Sequence, residues 1–316
     1  MKNTLHIIVL ILLFLLPTGL AGAQSGMDFL NIGPTTQALA LGEAVTAVPM
    51  GASAIYTNPA NLAFDSSSSL SADYTLWIAN VFNSHVAVNL KSGHGSIGFG
   101  LLSSNATDFE ARSRPGPADG TFSVSYLSLA AAYARSIRNF SVGGAFQFLR
   151  EEFLVSEATG YAFNAGVSSH WLDRRLRIGI ALLNQGRMNE LIDEPTPLPS
   201  TLRFGVAAEI ATISPPRNDD LPIRISLYAD YISPMEEDIR SSQFSHNPNK
   251  NFVNTGISLD IAETIVLRGG YKTGDTERPF GAGVAVRLES LSFNYAMVPF
   301  NTGFGNVHSV GMQYFF

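Results

Sequence analysis

The chain has no cysteine in 316 residues. Disulfides, thiol chemistry and thiolate metal sites are therefore excluded. Charge is also scarce, at 15% of residues, where ordinary soluble domains carry about a quarter. Beyond the first 16 residues no apolar run approaches the ~20 residues that a membrane-spanning helix needs. No linker divides the chain, although its length could hold two ordinary domains. The five histidines past residue 6 (His85, His94, His170, His246 and His308) stand alone in their segments. None has the i, i+4 partner of a helical metal site. Neither a Gly-x-Ser-x-Gly elbow nor a glycine-rich strand-to-helix loop occurs, so no catalytic residue, metal or cofactor is expected.

What is present begins with a leader. The opening "MKNTLHIIVLILLFLLPTGLAGAQ" has a charged start at Lys2, an apolar run from Leu5 to Leu16, and a small-residue site at Ala21-Gly22-Ala23. This is the layout of a secretory signal peptide spanning residues 1–23, with Ala21 and Ala23 at the cleavage site. Of the 20 basic residues, removal of Lys2 leaves 19, against 26 acidic ones, a net charge of −7. Nucleic acid, which asks for a basic face, is not an expected partner.

From about Ser69 the chain alternates. "FGAGVAVRL" sets Phe280, Ala282, Val284, Val286 and Leu288 against Gly281, Gly283, Ala285 and Arg287. "LRFGVAAEI" sets Leu202, Phe204, Val206, Ala208 and Ile210 against Arg203, Gly205, Ala207 and Glu209. The final "VHSVGMQYFF" puts Val310, Met312, Tyr314 and Phe316 on one face, and Ser309, Gly311 and Gln313 on the other. A period of two is the signature of strands with one apolar face. About 14 such segments follow one another, starting near Ser69, His85, Ser96, Phe122, Phe140, Thr159, Leu176, Thr201, Pro222, Phe252, Ile265, Phe280, Leu291 and Val307. At roughly 9–12 residues, each is long enough to cross a bilayer as a tilted strand.

The connections alternate as well. "NATDFEARSRPGPADGT", "GRMNELIDEPTPLPS" and the stretch from Ser233 to Asn251 are long and follow odd-numbered segments, whereas "SGHG", "SIRN", "LDRR", "AET" and "ESL" are short and follow even-numbered ones, with "ISPPRNDD" the one longer case. Short turns on one side and long loops on the other are the habit of outer-membrane barrels. Lipid cannot satisfy a free strand edge, so the sheet must close. The expected fold is an all-β transmembrane antiparallel barrel of about 14 strands over residues 67–316, in outer-membrane lipid. The inward set Arg203, Glu209, Arg224, Asp230, Asp260, Arg268, Lys272 and Arg287 mixes both signs. That suits salt bridges holding something in the lumen better than a one-sign filter. The acidic pairs Glu151-Glu152 and Glu236-Glu237 are expected at or beyond strand ends, as solvated loops.

Residues 24–66 do not alternate. Rich in Ala and Gly, with helix-like stretches from Gln37 to Val48 and a turn at Asn58-Pro59, they are too few for a domain and too apolar for water. They are expected inside the barrel as a mostly helical plug.

"ALALGEAVTAV…ASAIYTNPANLAF" resembles the N-terminal signature of the PorV/PorQ group, within the wider FadL-type long-chain fatty-acid transporters. The matching positions are Leu41, Gly42, Thr46, Ala47, Val48, Tyr56, Asn58, Pro59 and Ala60, with Asn61 standing where related sequences often carry Gly. "LRGGYKTG", "FGAGVAVRL", "FNYAMVPF" and "GNVHSVGMQYFF" resemble that group's last four strands. The resemblance implies a 14-stranded barrel with an N-terminal plug. The terminal aromatics Tyr314 and Phe316 resemble the signal that such barrels present to the insertion machinery. Two functions follow from it. One is capture of secreted proteins in a type IX-like pathway, with the loop from Glu190 to Pro199 as a candidate contact. The alternative is transport of hydrophobic small molecules such as long-chain fatty acids, which would require Phe and Leu among the inward residues near the plug.

Overall fold

The computed structural model describes residues 27–316 apart from 112–115, 117, 119, 155, 192–194, 214–221, 236–250, 302 and 304. The expected leader, its Ala21 and Ala23, and the Glu236-Glu237 pair lie outside the described residues. Fourteen antiparallel strands form one closed barrel in which each pairs with its sequence neighbours and the first meets the last. They are β1 Ser69–Leu76, β2 Val81–Ser92, β3 Gly95–Ala111, β4 Gly120–Ile137, β5 Phe140–Phe153, β6 Ser156–Trp171 and β7 Leu176–Met188. The second half comprises β8 Thr201–Ile213, β9 Ile223–Pro234, β10 Phe252–Ile261, β11 Ile265–Lys272, β12 Phe280–Leu288, β13 Leu291–Pro299 and β14 Asn306–Phe315.

Closure explains the apolar end of the chain. Tyr314 pairs with Leu70 in the β1–β14 ladder. The amide of Phe316 donates to Ser68 O at 2.9 Å, and that of Ser68 donates to Phe316 O at 3.0 Å. Side-chain alternation then decides what faces lipid. Tyr133, Phe146, Phe163, Phe204, Phe293, Val310 and Tyr314 are exposed on the outer surface, while Ala134, Ala145, Ala162, Gly205, Ser292 and Ser309 are buried within. No helix among the described residues is long and apolar enough to cross a membrane; the crossing is made by strands. The fold, with its lipid-facing apolar belt, is that of a bacterial outer-membrane barrel.

The wall is uneven in height. Strands β3, β4 and β6 have 17, 18 and 16 residues, while β1 and β11 have 8. The stretch Asn105–Thr121, expected as a long loop, is mostly a continuation of the β3–β4 hairpin, with Ala111 paired to Gly120. Likewise Glu151 and Glu152 belong to β5 and pair with Ala158 and Glu157, so they are not in a loop. Above the bilayer a strand no longer needs an apolar outer face, and the lipid pattern that marks it in sequence stops. Tight turns close the other end. At 262–263, Ala262 (φ 55°) and Glu263 (φ 56°) are both left-handed, the backbone that matches the twist of a two-stranded ribbon.

A bulge reshapes one seam. Between Phe163 and Ala165 the β6–β7 register shifts, and Asn184 takes φ 59°. Past Leu183, β7 leaves β8. Residues 195–200 fold back over that gap. Asn184 Nδ2 donates to Pro199 O at 3.2 Å, Thr196 Oγ1 donates to Glu151 Oε2 at 2.8 Å, and Leu198 is buried beside Met27, Leu149 and Met188. Of the loop from Glu190 to Pro199, read as a candidate partner contact, Leu198 and Pro199 are buried in the barrel mouth, while Glu190 and Pro195 are exposed.

Candidate functional site: the plugged lumen

Residues 27–64 occupy the lumen. They comprise α1 (Thr36–Ala40) and three 3-10 turns, Asp28–Asn31, Gly51–Tyr56 and Pro59–Ala63. The helical character comes mostly as short 3-10 turns, and the helix-like stretch expected from Gln37 to Val48 ends at Ala40. Gly42 (φ 60°) and Glu43 (φ 63°) turn the chain left-handed there, and the later prolines prevent its recovery. Burial is nearly complete: Leu41, Thr46, Asn58 and Ala60 have no measurable exposure, and Ala47, Val48, Tyr56 and Pro59 are also buried.

The plug fits because the wall opposite it is written in glycine. A methyl group added at Gly143 would lie 2.6 Å from the Pro59 carbonyl carbon, and one at Gly179 would lie 2.5 Å from Thr46 O. At Gly283 it would meet Ala40 Cβ at 2.6 Å, and at Gly270 it would overlap the backbone of Gly42. Inward small residues were visible as an alternation pattern and the plug as an aperiodic segment, but not which glycine faces which plug residue.

Three polar anchors hold the plug. Asp230 Oδ2, from β9, accepts from the amides of Val45 and Thr46, both at 2.9 Å, and from Thr46 Oγ1 at 2.7 Å. Asn58 caps the last 3-10 turn by accepting from the amide of Ala60 at 3.1 Å, while its Nδ2 donates to Thr46 O at 2.8 Å and to Ser168 Oγ at 2.9 Å. The Asn-Pro-Ala element is thus a joint between turn, plug and wall. On the opposite side, Asp73 accepts from the amide of Thr36 at 2.9 Å, and Thr36 Oγ1 lies 2.8 Å from Ser309 Oγ.

At the long-loop end a buried ion cluster joins the plug to the loop 273–279. Glu43 Oε1 pairs with Lys272 Nζ at 3.4 Å and Arg278 Nη1 at 3.1 Å, and Asp275 bridges both cations at 3.0 Å. Burial works to raise the Glu43 pKa, but Lys272, Arg278 and Arg203 outweigh it and bring the carboxyl down to about 2. Arg278 also stacks 5.0 Å over Trp77.

All eight charges expected in the lumen occupy inward register positions, but they do different things. Asp230 and Lys272 bond the plug directly, and the buried Arg203 acts on Glu43 through space. Arg224 pairs with Glu263, Arg287 with Asp260, and Glu209 with Arg175, all near the short-turn rim. Arg268 donates to Asn294 Oδ1 at 2.9 Å. A general role in holding the plug, expected for the whole set, does not extend to these rim pairs. Among the described residues no group of three metal-ligating side chains comes together.

The lumen is not uniformly polar. On the β3–β7 side, inward Leu102, Leu149, Met188 and Leu198 meet Met27, Phe29 and Ile55 of the plug in one apolar cluster. Leu30, Tyr126 and Leu191 flank it, half-buried, and Phe29 stacks on Tyr126 at 5.4 Å between centroids. The sequence signal for this sector was available: Leu149 is the large aliphatic residue among inward β5 positions that otherwise hold Ser141, Gly143, Ala145, Gln147 and Glu151.

No protein-family model matches the chain, and no curated protein matches it in sequence. Solved structures do. The CymD monoaromatic hydrocarbon channel superposes with a TM-score of 0.60 at 12% identity, covering 90% of this chain and 97% of its own. The TodX toluene transporter of P. putida gives 0.56 at 11% identity, covering 89% and 95%. At such identities the likeness is one of fold: the chain shares an outer-membrane barrel architecture with these channels.

Proposed function

We propose that the protein transports hydrophobic small molecules across the outer membrane, with the plug moving to open the way. The observation that carries this reading is the apolar sector where Phe29 and Leu30 pack against the β3–β7 wall, so that displacement of the plug would uncover a water-poor path there. A hydrophilic solute would gain nothing there, whereas an aromatic or acyl molecule would exchange water for Leu, Met and Phe side chains. The two hydrocarbon channels that share the fold support the same class of cargo. Capture of secreted proteins is less favoured, because Leu198 and Thr196 turn inward and leave the segment 195–200 little to present outside. Tyr314 and Phe316, exposed and stacked 5.8 Å apart, are in position to serve as the signal for the insertion machinery.

The test is uptake of radiolabelled toluene and of a long-chain fatty acid by a bacterial host lacking its own channels for both. Expression of the protein should raise the uptake of at least one several-fold over empty vector, and the ratio ranks the cargo classes. Uptake equal to the vector control for both would end the transport reading.

A further inference from the structure

Beneath the plug, at the short-turn end, lies a cavity of about 290 Å³ between the plug base and strands β11–β14. This is well above the ~30 Å³ share of one liquid water. Its wall contains an anomaly. Arg268 is 8% exposed, yet its guanidinium donates one hydrogen bond, from Nη1 to Asn294 Oδ1 at 2.9 Å. Among the described residues no carboxylate lies in ion-pair range of it, although its wall neighbours Arg287 and Lys272 each have one. None of its nitrogens is both shut off from solvent and without a partner, so the donors that Asn294 does not use are open to the cavity, where a carboxylate can reach them.

We propose that this cavity binds a small monocarboxylate, with Arg268 as its charge partner. The planar fork of N–H groups matches a carboxylate bidentately. Ser292 supplies a further hydroxyl, and Leu291 and Phe315 give the acid's apolar body a wall to lie against. Asp65 and Glu289 line the same space. The Glu289 carboxylate opposes a dianion, so a single negative charge fits the site better than inorganic phosphate does. The inference is independent of transport, because the cavity is accessible with the plug in place and binding is read at equilibrium.

The experiment uses the full-length protein in a zwitterionic detergent, with benzoate as the calorimetric probe and benzyl alcohol as its neutral counterpart. Benzoate should bind saturably, benzyl alcohol about tenfold more weakly or less, and phosphate should fail to compete. Arg268→Gln should weaken benzoate about tenfold or more. If that variant fails to fold, crystals of the wild type soaked in 4-bromobenzoate decide the matter through the bromine position, expected against Leu291 or Phe315. No saturable benzoate binding, equal binding by Arg268→Gln, competition by phosphate, or bromine found only elsewhere would each overturn the proposal.

Discussion

Asp230 and Thr46 are joined twice. One carboxylate oxygen of Asp230 accepts from both the amide and the hydroxyl of Thr46, at 2.9 and 2.7 Å, and also takes the Val45 amide. Gly205 makes room for the arrangement: a methyl group there would lie 2.5 Å from Asp230 Oδ1 and 2.7 Å from Thr46 Cβ. The wall strand β9 therefore grips the plug at its middle.

Removing that grip should free the plug before it harms the barrel. Asp230→Ala leaves three donors without an acceptor, at a cost on the order of 1–3 kcal/mol for each one kept from water. Limited proteolysis should then cut within residues 27–64 faster than in the wild type, while heat-modifiable migration on gels shows an intact barrel. Cleavage at the wild-type rate would mean that Asp230 is not an anchor.

The glycine lining predicts a steric effect at a distance from any polar contact. Gly143→Ala places its new methyl 2.6 Å from the Pro59 carbonyl carbon, an overlap that rigid packing relieves at about 1–3 kcal/mol. The expected result is a lower thermal midpoint and faster plug cleavage. Gly93→Ala is a control for added bulk, because nothing lies within 4 Å of its methyl, although its φ of 57° carries some strain.

Two carboxylates near the plug respond to pH in opposite directions. Glu43, brought down to about 2, stabilises the plug fully above the ordinary carboxylate range of about 4.5. That contribution is lost only as pH falls toward 2. Asp65, at the plug base, is pushed up to about 7 by burial, which Lys91 and Arg177 only partly offset. Its folded form holds the proton more tightly, so stability is greatest below about 3.8 and declines as pH rises through 7. Plug protection from protease should therefore fall between pH 5 and 8, and Asp65→Asn should flatten the profile. A wild-type profile already flat over that window would contradict the assignment.

Much of this architecture is legible from alternation. β1, β5, β7, β8, β10, β11, β12 and β13 begin at the residues where the two-residue period begins, because lipid on one side imposes that period. β2 starts four residues earlier than expected, at Val81, and β3 runs on to Ala111. There the wall leaves the bilayer and polar residues such as Asn83 and Asn105 are tolerated on it. The plug's location could be read from its lack of period, and Asn58 from its place before proline. The Glu43 cluster could not be read, since Asp275 and Arg278 lie in an aperiodic loop 232 and 235 residues away from it, and only closure of the barrel brings them together.

The terminal aromatic should act in assembly and not in stability. Phe316→Ala keeps both backbone hydrogen bonds to Ser68, so refolding into detergent should match the wild type. In cells, the amount inserted in the outer membrane should drop several-fold. Equal insertion in cells would leave Phe316 without a role in targeting.

The most direct test of the account is to lock the plug. Thr36 Oγ1 and Ser309 Oγ lie 2.8 Å apart across the plug–wall boundary, and the chain has no cysteine of its own to interfere. A Thr36→Cys/Ser309→Cys protein should therefore form one disulfide between plug and β14. Hydrophobic uptake, measured in the same cells before and after reduction, should be near the vector level when oxidised and return to that of the wild type when reduced. Uptake at full rate with the disulfide closed would contradict a moving plug and, with it, this route through the barrel.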